Sequence, residues 1–197
     1  PETLPVGVII LAFGADLCGR QGEYGYPSLP GVGTSRELEQ AFHADERGPT
    51  VGAHRPASAA FILCVGSREA TGSTGCSRYC CPTAIKQALL LRRQGLDVTV
   101  FYRDIRTIST GAEEMYREAR GAGVLFVRVP PGQKPHVLGE GRAQSVRCHD
   151  DLLGRTVEVP ADLVVLSVGM RPRQPETALF HDLLKASLGS DGFFLER

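Results

Sequence analysis

Four of the six cysteines fall within 18 residues: Cys64, Cys76, Cys80 and Cys81, in the pattern C-x11-C-x3-C-C. Cys18 and Cys148 stand apart. Free cysteine is among the most buried residue types, which is account enough for Cys64 at the end of an apolar run. It does not account for the other three, which follow a Gly/Ser/Thr stretch and end immediately before Pro82. Disulfides are disfavoured, because the composition reads as intracellular and adjacent cysteines bridge each other only with strain. Zinc sites usually take paired C-x2-C knuckles, and this spacing is not that pattern. Four thiolates converging from a strand end, a loop and a helix start suit an iron–sulfur cluster better. A helix opening near Pro82 would also point unpaired backbone N–H groups at the cluster sulfurs and favour their negative charge. A redox dithiol stays open, although C-x3-C lacks the C-x-x-C geometry that lowers a thiol pKa.

Other chemistry is thin. His43, His54, His136, His149 and His181 show no i,i+4 pairing, and neither a G-x-S-x-G elbow nor a Walker loop is present. The 197 residues carry 22 basic and 22 acidic side chains, with no basic stripe or like-charge run, which argues against nucleic-acid and membrane-surface binding. The longest apolar stretch, Val6 to Phe13, is far short of the roughly 20 residues of a membrane span. The N-terminus lacks the pattern of a signal peptide, so the expectation is a soluble, cytoplasmic chain. Gly and Pro together number 36, and they punctuate strong apolar segments rather than a disordered tract.

The elements that must position the thiols follow from these segments. Val6 to Phe13, ending at Gly14, reads as a strand buried on both faces. Residues 19–33 are turn-rich, and Thr34 or Ser35 can cap a short helix through about Phe42. Residues 44–58 read as a surface connection. Ala60 to Val65 is a second buried strand, Ser67 to Gly75 a loop, and Ala84 to Gln94 a helix with Pro82 at its first position. Asp97 to Tyr102 is a strand, Glu113 to Ala122 a helix and Val124 to Val129 another strand. This alternation implies crossover connections and a parallel sheet. Gln144 to His149 and Thr156 to Val159 suggest a polar-faced hairpin, and Ala161 to Val168 the last buried strand.

Phe61-Ile62-Leu63-Cys64-Val65-Gly66-Ser67-Arg68, followed by Cys76-Ser77-Arg78-Tyr79-Cys80-Cys81-Pro82-Thr83-Ala84-Ile85-Lys86-Gln87-Ala88, strongly resembles the A subunit of heterodisulfide reductases. The likeness extends through Phe101 to Arg106 and Ala161 to Gly169, and includes Gly22 to Tyr26 and Asp191 to Leu195. That family is built on a thioredoxin-reductase-like flavoprotein core holding FAD and, in place of ordinary pyridine-nucleotide binding, a 4Fe-4S cluster. The resemblance implies that Cys64, Cys76, Cys80 and Cys81 are the four ligands, exchanging electrons with the flavin. It also implies that Lys86, about one and a half turns after Cys81, lies near the reactive edge of the flavin, with Glu39 as its carboxylate partner.

One departure is clear. The G-x-G-x-x-G turn of FAD-binding cores is missing: Gly66, Gly72 and Gly75 have the wrong spacing, and Gly31-Val32-Gly33 is followed by Thr-Ser-Arg. The chain therefore reads as an internal piece of a larger subunit that would bind FAD weakly or not at all alone. The expectation is an α/β fold: a Rossmann-like parallel-sheet domain of pyridine nucleotide-disulfide oxidoreductase type with a β-hairpin, plus partial FAD-domain segments. Residues 1–57 would end the first FAD segment, 58–160 form the inserted cluster-bearing domain, and 161–197 return to the FAD domain. Gly14 and Gly169 mark places where backbone could approach the cofactor. By the same resemblance the partners are other heterodisulfide-reductase-type subunits and ferredoxin, hydrogenase or dehydrogenase electron donors. Two rivals stay open: a docking module whose thiols are bare or hold zinc, and a pyridine nucleotide-disulfide oxidoreductase with a redox cysteine pair.

Overall fold

The computed structural model describes residues 4–19, 22–69 and 74–195. Its strands are β1 (Asp16–Leu17), β2 (Val32–Thr34), β3 (Ser58–Val65), β4 (Asp97–Tyr102), β5 (Leu125–Arg128), β6 (His136–Leu138), β7 (Ser145–Asp150), β8 (Arg155–Pro160), β9 (Leu163–Val168) and β10 (Met170–Arg171). The α-helices are α1 (Ser35–Ala44), α2 (Cys80–Arg93), α3 (Ala112–Gly121) and α4 (Gln174–Leu184). The chain divides into two compact units, one of residues 18–169 and one of residues 1–17 with 170–197.

In the larger unit, β2, β9, β3, β4 and β5 lie side by side in that order, every pair parallel. All eight residues of β3 and all six of β9 are buried, as continuous apolar runs in a two-sided parallel sheet must be. Phe61, Val98, Val100 and Val165 join Ala84, Ile85, Ala88 and Leu91 of α2 in one core. Asp162 pins the start of β3, its carboxylate accepting from the Ala57 and Ser58 amides and the Ser58 hydroxyl at 3.0–3.2 Å. Helix α1 opens with a capping box in which Glu37 N–H donates to the Thr34 hydroxyl and Glu37 Oε2 accepts from Thr34 N–H at 2.6 Å. The expected hairpin is β7–β8, with Val146, Cys148 and Asp150 buried at period two, and β6 adds a third antiparallel strand.

In the smaller unit, β1 pairs antiparallel with β10. Phe13 stacks on Phe180 at 5.4 Å and meets Phe194 edge-on at 6.0 Å. Arg173 donates to the Phe13 carbonyl at 3.1 Å.

Three expectations need correction. Val6 to Phe13 is not a buried strand: none of it is assigned to a strand, and Ile10 is 84% exposed. An apolar run becomes a strand only when a ladder partner satisfies its backbone, and among the described residues nothing pairs with it. Helix α2 begins at Cys80 rather than at Pro82, which sits inside the first turn; a missing N–H costs nothing there, because first-turn N–H groups have no intrahelical acceptor. Helix α4, with a proline in its first turn, had no counterpart among the expected elements. Part of the loop expected at Ser67 to Gly75, residues 70–73, lies outside the described residues.

Candidate metal centre

The carboxyl ends of β3, β4 and β9 and the amino end of α2 meet at the four thiols. Cys64 is the penultimate residue of β3 and has φ +61, within the stretch Ile62 to Val65 where the register against β9 shifts. Arg68 and Arg78 also have positive φ, at 57 and 62. Left-handed backbone at three non-glycine residues between the end of β3 and the start of α2 is costly and concentrates where a site over-determines the chain. Cys80 and Cys81 occupy the first turn of α2 and are buried. The Cys80 thiol donates to the Val168 carbonyl at the end of β9 at 3.7 Å, and the Cys81 thiol to the Asp104 carbonyl just past β4 at 3.9 Å. Cys76 is the least buried of the four, and its sulfur accepts the Arg78 N–H at 3.4 Å. Tyr79, the residue before α2, donates its hydroxyl to Val168 O and so ties this end of the helix to β9.

The electrostatics show the four sulfurs as one group. Burial pushes the Cys80 thiol up to about 12, and the neighbouring Cys64, Cys81 and Cys76 add to the rise. Burial also raises Cys64, opposed by Arg68 and Arg103, and raises Cys81, opposed by the Arg106 amide. Thiols held so protonated are poor nucleophiles, the reverse of an activated redox pair. A bound metal inverts this, because its own charge makes the thiolate the favoured form. Among the described residues no three Cys, His, Asp or Glu side chains crowd to a single point as one ion would need. An all-thiol donor set of four sulfurs within electrostatic reach of one another fits cluster chemistry.

Three arginines surround the thiols. Asp104 accepts from Arg68 through Oδ1 and from Arg106 Nε through Oδ2 at 3.1 Å, and Arg103 donates to the Arg68 carbonyl. Burial pushes the Asp104 carboxyl up, but the hydrogen bonds from Arg68 and Arg106 outweigh it and hold the group below its ordinary value. Sequence reasoning did not single out Asp104, Arg68 or Arg106 as site residues. The signal available was alternating charge just past a strand end, Arg103-Asp104-Ile105-Arg106.

Lys86 lies on α2 and Glu39 on α1, with Nζ to Oε1 at 2.5 Å. Gln87, fully buried, donates to Glu39 Oε2 at 2.9 Å and to the Ser35 carbonyl at 2.8 Å, while its own Oε1 has no partner among the described residues. The bonds from Lys86 and then Gln87 lower the Glu39 pKa. Stability from this pair is therefore present above the ordinary Glu value of 4.5 and is lost as pH falls through the lowered value. Both side chains are more than a third exposed, so Glu39→Gln should cost only about 0.2–1 kcal/mol at neutral pH. Urea midpoints measured across pH should show that difference shrinking below pH 4.5.

Gly169 packs against the chain itself, since a Cβ there would stand 2.7 Å from Ser67 Cβ and 3.1 Å from Gly66 O. Gly14 belongs to the other unit and has φ +72, with open space where a Cβ would sit. Cys18 donates its thiol to Gly66 O at 3.4 Å and its N–H to Gly169 O at 2.8 Å. Cys148 lies in β7, its thiol raised to about 11 by burial and by Asp150. For FAD, the residues present do not make a site by themselves, because no G-x-G-x-x-G turn is available to hold the pyrophosphate.

The parallel sheet with an antiparallel three-stranded sheet appended defines the class. The fold is similar to that of thioredoxin reductase: the enzyme of Lactococcus lactis superposes with a TM-score of 0.55, 19% identity, 93% of this chain and 50% of that one. In sequence the chain is similar to heterodisulfide reductase A subunits. It is 40% identical to the iron-sulfur A subunit of the CoB--CoM heterodisulfide reductase of Methanocaldococcus jannaschii, over 98% of this chain and 31% of that protein. It is 36% identical to the A subunit of the H(2):CoB-CoM heterodisulfide,ferredoxin reductase of Methanothermobacter marburgensis, over 98% of this chain and 30% of that protein. The chain thus spans about three tenths of the length of these relatives. No family model matches it.

Proposed function

We propose that this chain is the cluster-holding, electron-transferring part of a heterodisulfide-reductase-A-like flavoprotein, an oxidoreductase. Cys64, Cys76, Cys80 and Cys81 would hold a 4Fe-4S cluster that exchanges electrons with an FAD bound by the complete subunit. The observation that carries this reading is the convergence of four thiols where β3 passes into α2, the position of the pyrophosphate turn in nucleotide-binding sheets. The cluster, when bound, supplies one-electron transfer.

The chain's own residues do the rest. Burial of Cys80 and Cys81 keeps water from two of the ligands. The unpaired N–H groups of the first turn of α2 favour negative charge on the sulfurs. Lys86, held by Glu39, would present a positive charge to the flavin ring and favour negative charge developing there. Gly14 and Gly169 would let backbone approach the flavin, with residues 1–57 and 161–197 on its side and 58–160 as the inserted domain.

The setting we propose is cytoplasmic; among the described residues no helix is long and apolar enough to cross a membrane. Ferredoxin appears in the names of several relatives, and the relatives are named as heterodisulfide reductase subunits, which supports ferredoxin and other heterodisulfide-reductase-type subunits as partners; hydrogenase or dehydrogenase donors complete the proposed set. Within such a complex the flavin would be the branching point if electrons are bifurcated.

Anaerobic purification with iron, acid-labile sulfide and zinc analysis tests the reading. About four irons and four sulfides per chain are expected. Zinc, or no metal with every thiol titrating freely, would reject it in favour of a docking module.

A further inference from the structure

We infer that Asp104 is a positioning residue for the metal centre: its single carboxylate clamps Arg68 and Arg106 against the cysteines, so that the two guanidiniums offset the negative charge of the bound cluster and raise its reduction potential. The inference rests on the cluster reading above.

The geometry is specific. Arg68 reaches the Cys64 thiol while its guanidinium is held by Asp104 Oδ1. Arg106 is held by Oδ2, feels the charge of Cys76, and turns its backbone N–H toward Cys81. The Asp104 carbonyl lies 3.9 Å from the Cys81 sulfur, so one residue sits beside a ligand with its main chain and aligns two cations with its side chain. Arg103 completes the clamp by gripping the carbonyl of Arg68, whose left-handed backbone sets the direction of its side chain.

Such a cage is out of proportion to the chain, whose net charge is zero. An arginine is long and rotamer-rich, and a lone exposed ion pair hardly restrains one. A carboxylate bridging two guanidiniums through separate oxygens holds both, and charge-assisted bonds of this kind are directional. Cations beside a cluster favour its more negative, reduced state, because they stabilise the added charge.

The test is a redox titration of the cluster, followed by its electron paramagnetic resonance signal, in the anaerobically purified chain and in variants. Arg68→Gln and Arg106→Gln are each expected to shift the midpoint to a more negative value. Asp104→Asn gives the decisive sign. Removing a negative charge and nothing else would raise the midpoint, whereas releasing two arginines lowers it. A fall, with Asp104→Glu restoring the parent value at least in part, is the expected result. A rise or no shift in Asp104→Asn, with iron and sulfide content at the parent level, would overturn the clamp while leaving the cluster reading intact. An unaltered chain without iron and sulfide would overturn the cluster reading and the clamp with it. Asp104 is half exposed, so the fold should survive the change, which circular dichroism of each variant checks.

Discussion

On the proposed cluster reading, Cys80→Ser is expected to lower the iron content from about four atoms per chain to fewer than one. Cys80 is 5% exposed in the first turn of α2, and burial together with three neighbouring thiols drives its pKa up to about 12. A bound metal would have to overcome that penalty to hold it as a thiolate, and what sets Cys80 apart from an ordinary buried cysteine is the three thiols beside it. A serine oxygen is a harder donor that matches iron–sulfur clusters poorly. With Cys64, Cys76 and Cys81 still in place but one iron unligated, the cluster should be lost on purification. Cys148→Ser is the control: it is as buried as Cys80 but sits in the antiparallel sheet, and its iron content should equal that of the parent. Iron retained in Cys80→Ser, or lost equally in Cys148→Ser, would reject the ligand assignment.

Phe61→Ala is expected to lower stability by about 3–5 kcal/mol, the cost of emptying a large buried aromatic site. Against a total of roughly 5–15 kcal/mol for a folded domain, that leaves little margin. Phe61 is fully buried on β3, the strand flanked by both β4 and β9, and belongs to the core that seats α2. Its loss leaves a cavity under the helix that carries Cys80 and Cys81. The chemical-denaturation midpoint should fall with an unchanged slope, which separates lost stability from a changed denatured state. If the midpoint hardly moves, the core collapses around the gap and β3 is less rigid than its burial implies. Both substitutions lie on the same strand–loop–helix unit, so they separate the two things it does. One should remove metal while most of the fold persists, and the other should weaken the fold with every ligand intact.

Much of the fold is local chemistry and was legible as such. The span Asp97–Tyr102 of β4 matches the residues expected from its β-rich run between Gly95 and the charged segment beyond. The capping box of α1 can be read from Thr34 and Glu37 alone, because its two hydrogen bonds join residues three apart. The C-x11-C-x3-C-C spacing restricted the site to metal or thiol chemistry before any coordinates, and likeness to known subunits named the cluster. Where pairing decides, local reasoning ran out. Val6 to Phe13 has the composition of a buried strand and is not one, while Val32 to Thr34 sits in a turn-rich stretch and is a strand because β9 lies beside it.

By itself, then, the sequence determined the strand–helix order from β3 through β5, the β7–β8 hairpin and β9, the four candidate ligands and the absence of a pyrophosphate turn. These depend on residue type and on spacings of a few positions. The tertiary structure alone decided which distant groups surround the thiols. Asp104 and Arg68 are 36 residues apart, and no periodicity relates them. Glu39 and Lys86 are 47 apart, and their contact exists because α1 packs beside α2. Likewise, the Val168 carbonyl meets Cys80 only because β9 inserts between β2 and β3. Spacing along the chain can nominate a ligand, but the charges and dipoles that tune it come from strand ends brought together across the sheet.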